Sequence, residues 1–194
     1  MASSRKRSRM RYFTSDTHFG HTNIIKYCNR PFKDAGEMDR FIITEWNKIV
    51  TPDDTVYHMG DVAFTSPERL KHILANLNGY KILVLGNHDR AGAKMFEYGF
   101  AEVHPNIRGF VLKDNTICNL SHYPYRGTDD PYHKTKFDNK NLEDDGRLLL
   151  NGHVHDSWKT KPGRYKNWMI NVGMDQWGMK VVSEDELIVF KDSL

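Results

Sequence analysis

The chain has 194 residues, of which 39% are hydrophobic, 27% charged and 12% aromatic, a balance that suits one globular domain with its own core and is short for two. No apolar run approaches the ~20 residues that a helix needs to cross a bilayer, so no membrane-spanning helix is expected. The net charge of +3 is exceeded by Arg5, Lys6, Arg7 and Arg9 alone, leaving the rest slightly acidic, so overall basicity argues nothing for a nucleic-acid partner.

The opening MASSRKRSRM has no apolar stretch behind its cations and reads as a disordered basic tail over 1–10, not a secretory signal. Residues 11–194 are then the domain. MRYFTS (10–15) is a short strand running into DTHFGH. Over 37–50, Met38, Phe41, Ile42, Trp46 and Ile49 recur at helical spacing and predict one face packed on a sheet. TVYHMG (55–60) predicts a second strand that ends at Asp61. Ser66 as N-cap and Pro67 at the first helical position open a helix that carries Leu70, Ile73, Leu74 and Leu77 and stops at Gly79. KILVLG (81–86) is a third strand, ending in Asn87 and His88.

Beyond Gly99, HPNIRGFVL and NTICNLSH predict two antiparallel strands turning at Asp114-Asn115, the second ending at His122. The polar, aromatic segment 123–146 has no periodicity, and so long a connection is usually functional or disordered. RLLLNGHVH and NWMINVG supply two more strands, and Ser183 with Glu186 forms a capping box before a short C-terminal helix. Strand alternation would turn His153 and His155 of GHVH to one side and Val154 to the other. Cys28 and Cys118 stand far apart, which predicts no disulfide framework, two small core thiols and a reducing, cytoplasmic setting.

Each strand runs out into Asp, His or Asn: Asp16 and His18, Asp61, Asn87 and His88, His122, then His153 and His155. Ligands of open α/β sheets bind beyond the carboxyl ends of strands, so these side chains could converge. An aspartate there is commonly a turn former or cap, and Asn87 could merely supply a left-handed turn. Five such clusters in one chain argue for more. Of the ten histidines, five occupy them, whereas His58, His72, His104 and His133 have no comparable partners and His21 is ambiguous. Oxygen and imidazole donors without cysteine suit Mn²⁺ first, or Fe, Zn²⁺, Ni²⁺ or Mg²⁺, and exclude a thiolate-rich zinc site. Seven donors, Asp16, His18, Asp61, Asn87, His122, His153 and His155, are too many for one ion; they suit two, about 3.5–4 Å apart, sharing a carboxylate.

The ordered motifs Asp16-Thr17-His18, Gly60-Asp61, Gly86-Asn87-His88-Asp89, Ser121-His122 and Gly152-His153-Val154-His155 resemble those of the calcineurin-like metallophosphoesterase family, over nearly the whole chain. The resemblance implies a four-layer α/β/β/α sandwich, two mixed sheets flanked by helices. It also implies that Asp16, His18, Asp61 and His155 hold one metal, and that Asp61, Asn87, His122 and His153 hold the other, with Asp61 bridging. His88 would contact phosphate and Asp89 would orient its ring. Two such ions would acidify a bridging water for in-line attack on phosphorus, and protonated His88 is the candidate acid for the leaving alkoxide.

Substrate selection falls to flanking residues. Arg90 follows G-N-H-D; Tyr123, Tyr125, Arg126, Tyr132, His133 and Lys134 offer rings and cations; His21 lies three residues after His18. The expected activity is hydrolysis of a small phosphodiester, or a monoester, of nucleotide type. A nuclease, supported by the basic tail, and a non-catalytic scaffold are the alternatives.

Overall fold

The computed structural model describes residues 7–90, 92–128 and 140–194. In chain order its strands are β1 (Arg11–Thr14), β2 (Thr55–His58), β3 (Tyr80–Val84), β4 (Glu102–His104), β5 (Ile107–Val111), β6 (Ile117–Leu120), β7 (Leu148–Asn151), β8 (Thr160–Pro162), β9 (Trp168–Asn171) and β10 (Val182–Ser183). The helices are α1 (Thr22–Tyr27), α2 (Ala35–Ile49), α3 (Pro67–Asn76), α4 (Gly92–Tyr98) and α5 (Glu184–Asp192).

Strands β1 to β4 are parallel neighbours, with β10 antiparallel on the free edge of β1. The second sheet runs β5-β6-β7-β9-β8, parallel through β6, β7 and β9 and antiparallel at both edges. Side-chain alternation along β1 sends Tyr12 toward the helices and Phe13 toward the other sheet, and along β3 it divides Leu83 from Val84 in the same way. The first direction builds a core with Met38, Ile42 and Trp46 of α2 and Leu70, Ile73 and Leu74 of α3. The second packs Phe13, Met59 and Val84 against Leu120, Leu148, Leu150 and Ile170 across the sheet interface. The architecture is an α/β sandwich of two mixed sheets. On the outer face of the second sheet, Leu149 and Met169 are covered by Tyr125, Leu142 and Trp158.

Local signals predicted most of these elements. Ser66 caps α3 by accepting from Arg69 N–H, and both halves of the Ser183–Glu186 box are formed at α5. Phe41 and Ile49, expected on the buried face of α2, are partly exposed at its margin. The stretch 104–112 is not one strand: it divides at Pro105-Asn106, giving β4 to the first sheet and β5 to the second. Proline lacks the N–H a ladder needs, so the crossover falls there. The tail is partly tied down. Arg7 pairs with Asp54 and bonds the Tyr12 hydroxyl, and Met10 N–H donates to Asp54; residues 1–6 lie outside the described residues. No helix among the described residues is long and apolar enough to cross a membrane.

The sheets meet at their carboxyl edge. Ser15, just past β1, bridges to Gly173, just past β9, and Met174 N–H donates to Ser15 O at 3.1 Å. That junction brings the ends of β1, β2 and β3 beside those of β6 and β7.

Candidate metal centre

Asp16 and His18 follow β1, Asp61 follows β2, Asn87 and His88 follow β3, His122 follows β6, and His153 and His155 follow β7. Five of these have left-handed backbones: Asp16 (φ 56°), His18 (49°), Asp61 (57°), His153 (71°) and His155 (44°). Such conformations cost about 1–3 kcal/mol each and persist where surrounding bonds over-determine them. Here Asp16 N–H donates to Gly60 O at 2.9 Å and His18 N–H to Asp61 O at 3.1 Å, zipping the two loops together. Glycine makes the close approaches possible. A Cβ on Gly86 would stand 2.2 Å from Asp61 Oδ1, and one on Gly152 would stand 2.5 Å from Asp16 Oδ2.

GHVH is therefore a turn beyond β7, not the continuation of a strand. Left-handed His153 and His155, in place of strand alternation, bring both rings to the site while Val154 is buried.

The Asp61 carboxylate lies between the histidines. Its Oδ2 is 3.6 Å from His18 Nε2 and 3.9 Å from His88 Nε2, and its Oδ1 is 3.6 Å from His122 Nε2. Ligating atoms of Asp16, His18 and His155 fall within 4.8 Å of one another, as do those of Asp16, Asp61 and His122. Asn87 Oδ1 is 3.0 Å from His122 Nε2, and the His153 ring is 5.0 Å from that of His122. All seven sequence-derived donors converge. Asp16 belongs to both triads, a proximity that strand-end spacing did not reveal.

Unmet bonding capacity marks the same place. Asp16 Oδ1 and His18 Nε2 are buried and have no hydrogen-bond partner, a costly state that a cation would relieve. Burial, reinforced by the charges of Asp16 and Asp89, pushes the Asp61 pKa well above the carboxylate range. Burial drives His18 well below its ordinary value and His122 to about 3, so both present neutral imidazole, the ligand form. His122 Nδ1 donates to Met59 O at 2.6 Å, which turns its Nε2 lone pair to the centre. Acidic oxygens, an amide oxygen and neutral imidazoles fit a pair of divalent first-row ions.

Behind these donors stand residues that no sequence signal singled out. Asp175 Oδ2 accepts from His155 Nδ1 at 3.2 Å. Arg30 grips Asp175 through two bonds of 2.7 and 2.9 Å and donates to Asp16 O and Thr17 O. For His155, burial disfavours the cation, but Asp16, Asp175 and Cys28 outweigh it and raise the pKa to about 11. Cys28 thus corrects the expectation of a centre with no cysteine nearby: its sulfur groups with His155 and Asp175. Cys118 is a free, buried core thiol as expected.

A cavity of about 550 Å³ opens onto the donors, and His21, Ile24, Tyr27, Cys28 and Phe64 form much of its remaining wall. His21 and His88 line it as expected. The Asp89 oxygens accept the backbone N–H groups of Asp61, Val62 and Gly86, clasping the β2 and β3 loops. Arg90 is exposed and lines two adjoining cavities outside the central one. Tyr123 is buried edge-on to His122 and His153. Tyr125 does not line the cavity at the donors; it is buried in the outer core with its hydroxyl bonded among Asn119, Asp145 and Arg147. Arg126 pairs with Glu143 on the surface. Tyr132, His133 and Lys134 lie outside the described residues. His58 is structural, buried and bonded to Thr17.

The chain is 37% identical over 129 residues to an uncharacterized protein of Methanocaldococcus jannaschii, covering 59% of this chain and 73% of that one. It is 32% identical over 193 residues to the gene 66 protein of Mycobacterium phage L5, covering 91% of each. A solved structure, a protein of unknown function from Aquifex aeolicus, matches with a TM-score of 0.70 at 30% identity, over 94% of this chain and 100% of that one. No family model matches. Fold and site define an α/β-sandwich protein with a cluster of candidate metal ligands at its strand ends. The chain belongs to the family of these archaeal, phage and bacterial proteins.

Proposed function

We propose that the protein is a dinuclear-metal-dependent phosphoesterase of the calcineurin-like type, hydrolysing phosphodiesters, or monoesters, of small nucleotide-type substrates. The observation that carries this reading is the convergence of seven oxygen and nitrogen donors, Asp61 among them, with Asp16 Oδ1 and His18 Nε2 buried and unsatisfied. Asp16, His18, Asp61 and His155 would hold one ion and Asp61, Asn87, His122 and His153 the other. When bound, such ions acidify water and neutralise phosphoryl charge. Mn²⁺ is the first ion to try, since the donor set accepts several.

The chain's own residues do the rest. His88, with 40% of its side chain exposed and Nε2 3.9 Å from Asp61 Oδ2, reaches the cavity from the donor cluster and can pass a proton to the leaving oxygen. Asp89 fixes the loop from which His88 projects. Arg30 and Asp175 hold the His155 ring, so Nε2 keeps its direction. The nuclease alternative rests on the basic tail, and Arg7 of that tail is engaged by Asp54.

Mn²⁺-loaded protein should bind two ions per chain and hydrolyse bis(p-nitrophenyl) phosphate. Fewer than one ion per chain with no hydrolysis would leave a scaffold. Salt-dependent DNA or RNA binding that is lost with residues 1–10 would favour the nuclease.

A further inference from the structure

Two of the most exposed large rings in the described residues stand at one cavity. Tyr27 is 66% and Phe64 52% exposed, and both line the wall that faces the donors. Single exposed rings are ordinary, but here they are grouped. His21 stacks on Phe64 with centroids 4.6 Å apart and planes 21° apart, and meets Tyr27 edge-on at 6.4 Å. Buried Ile24 adds an apolar patch. The cavity is therefore two-faced: carboxylates and imidazoles on one side, rings on the other.

The backbone that carries His21 and Phe64 is tied down from behind. Phe64 N–H donates to Phe19 O at 2.8 Å beside the Phe19–Ala63 bridge, and His21 N–H donates to His18 O at 3.0 Å. A stacking surface fixed before the ligand arrives loses little entropy on binding. Between the recess and Asp61 stands His88, its ring 5.4 Å from Phe64 and its Nε2 3.9 Å from Asp61 Oδ2. A ligand that spans both faces needs a charged end, a planar end and a spacer of about one side chain between them.

We propose that His21, Tyr27 and Phe64 form a ring-binding subsite, and that the ester taken here carries a nucleobase, joined through its sugar to the phosphate held at the donors. The phosphate half of this inference rests on the phosphoesterase reading; the ring half does not. A cavity of about 550 Å³ falls in the size range of small-molecule sites, which suits a mononucleotide unit.

The test compares ligands that differ only in the base. Mn²⁺-loaded protein should bind adenosine 5′-monophosphate about tenfold or more tighter than ribose 5-phosphate, the scale of base–aromatic stacking. Phe64→Ala and Tyr27→Ala should each cut that preference several-fold, and Phe64→Trp should keep it; circular dichroism and urea unfolding verify that the variants are folded. Equal binding of the two ligands by wild type, or a preference untouched by both alanine variants, overturns the proposal. Adenosine alone separates the two readings, because stacking needs no metal. If adenosine binding is weakened by Phe64→Ala while no phosphoester is hydrolysed, the subsite stands and the phosphoesterase falls. If esters are hydrolysed without regard to the base, the reverse holds.

Discussion

Replacing Arg30 by methionine tests how the centre is held. The guanidinium is buried, forked onto both oxygens of Asp175 at 2.7 and 2.9 Å, and bonded to Asp16 O at 2.7 Å and Thr17 O at 3.1 Å. Methionine keeps much of the volume but takes the guanidinium from Asp175, leaving His155 as its remaining charged partner, and removes a donor from two carbonyls of the β1 loop. Breaking a buried pair from one side costs about 3–5 kcal/mol, a large share of the roughly 5–15 kcal/mol that holds a domain together. With a urea slope of about 2 kcal/mol/M, the midpoint should fall by about 2 M. The assay is equilibrium unfolding in EDTA at pH 7, so that metal binding adds nothing to the folded state. Adding Asp175→Asn removes the carboxylate charge that has lost its guanidinium while leaving an amide oxygen for His155 Nδ1, so the double variant should regain about half the loss. The pH dependence has a definite sign. Burial works against the Asp175 carboxylate, yet its bonds to His155 and Arg30 prevail and its pKa is lowered. Its contribution is therefore present above about pH 4, the unfolded value, and is lost as pH falls through the depressed folded value. The gap between wild type and Arg30→Met should narrow in that acid range. A variant within 1 kcal/mol of wild type, or a double variant no better than the single, would refute the reasoning.

Three further outcomes follow from the same geometry. With a pKa raised to about 11 despite its burial, by Asp16, Asp175 and Cys28, His155 is an imidazolium in the metal-free protein at pH 7. That stabilisation is complete below about pH 6.5 and is lost as pH rises through about 11. Because a ligand must be neutral, Mn²⁺ binding should release about one proton more from wild type than from His155→Gln, read by calorimetry in buffers of different ionisation enthalpy; equal release would count against His155 as a ligand. His88→Asn should keep its metal content while turnover of a chromogenic diester falls about 10²–10⁴-fold; wild-type turnover would remove His88 from the mechanism. Gly152→Ala would set a Cβ 1.9 Å from Ser15 Oγ and 2.5 Å from Asp16 Oδ2, so it should cost about 1–3 kcal/mol in urea unfolding and lower metal occupancy. An unchanged midpoint and full occupancy would mean that the loops are looser than they stand.

Much of the centre was legible in the linear chain, because each donor sits within a few residues of a strand whose apolar run announces it. Asp16, Asp61, Asn87 and His122 follow strands that periodicity located, and their order along the chain carried the family resemblance. The loops that select and support were legible in part only. Tyr125, close behind His122 in sequence, is turned outward under Leu142 and Leu149, since nearness along the chain says nothing about which face of a sheet a side chain joins.

The sequence by itself determined the strands that carry the donors, the caps of α3 and α5, and the donors at the strand ends, for these depend on neighbours within a turn or two; β8, β10 and the split of β4 from β5 were not legible there. Only the tertiary structure decided that Arg30 meets Asp175 across 145 positions, that Cys28 comes to His155, that Tyr27 and Phe64 share one wall, and that GHVH is a left-handed turn. Those contacts are set by how two sheets stack at their common edge, and stacking is a property of whole faces that no local run of residues encodes.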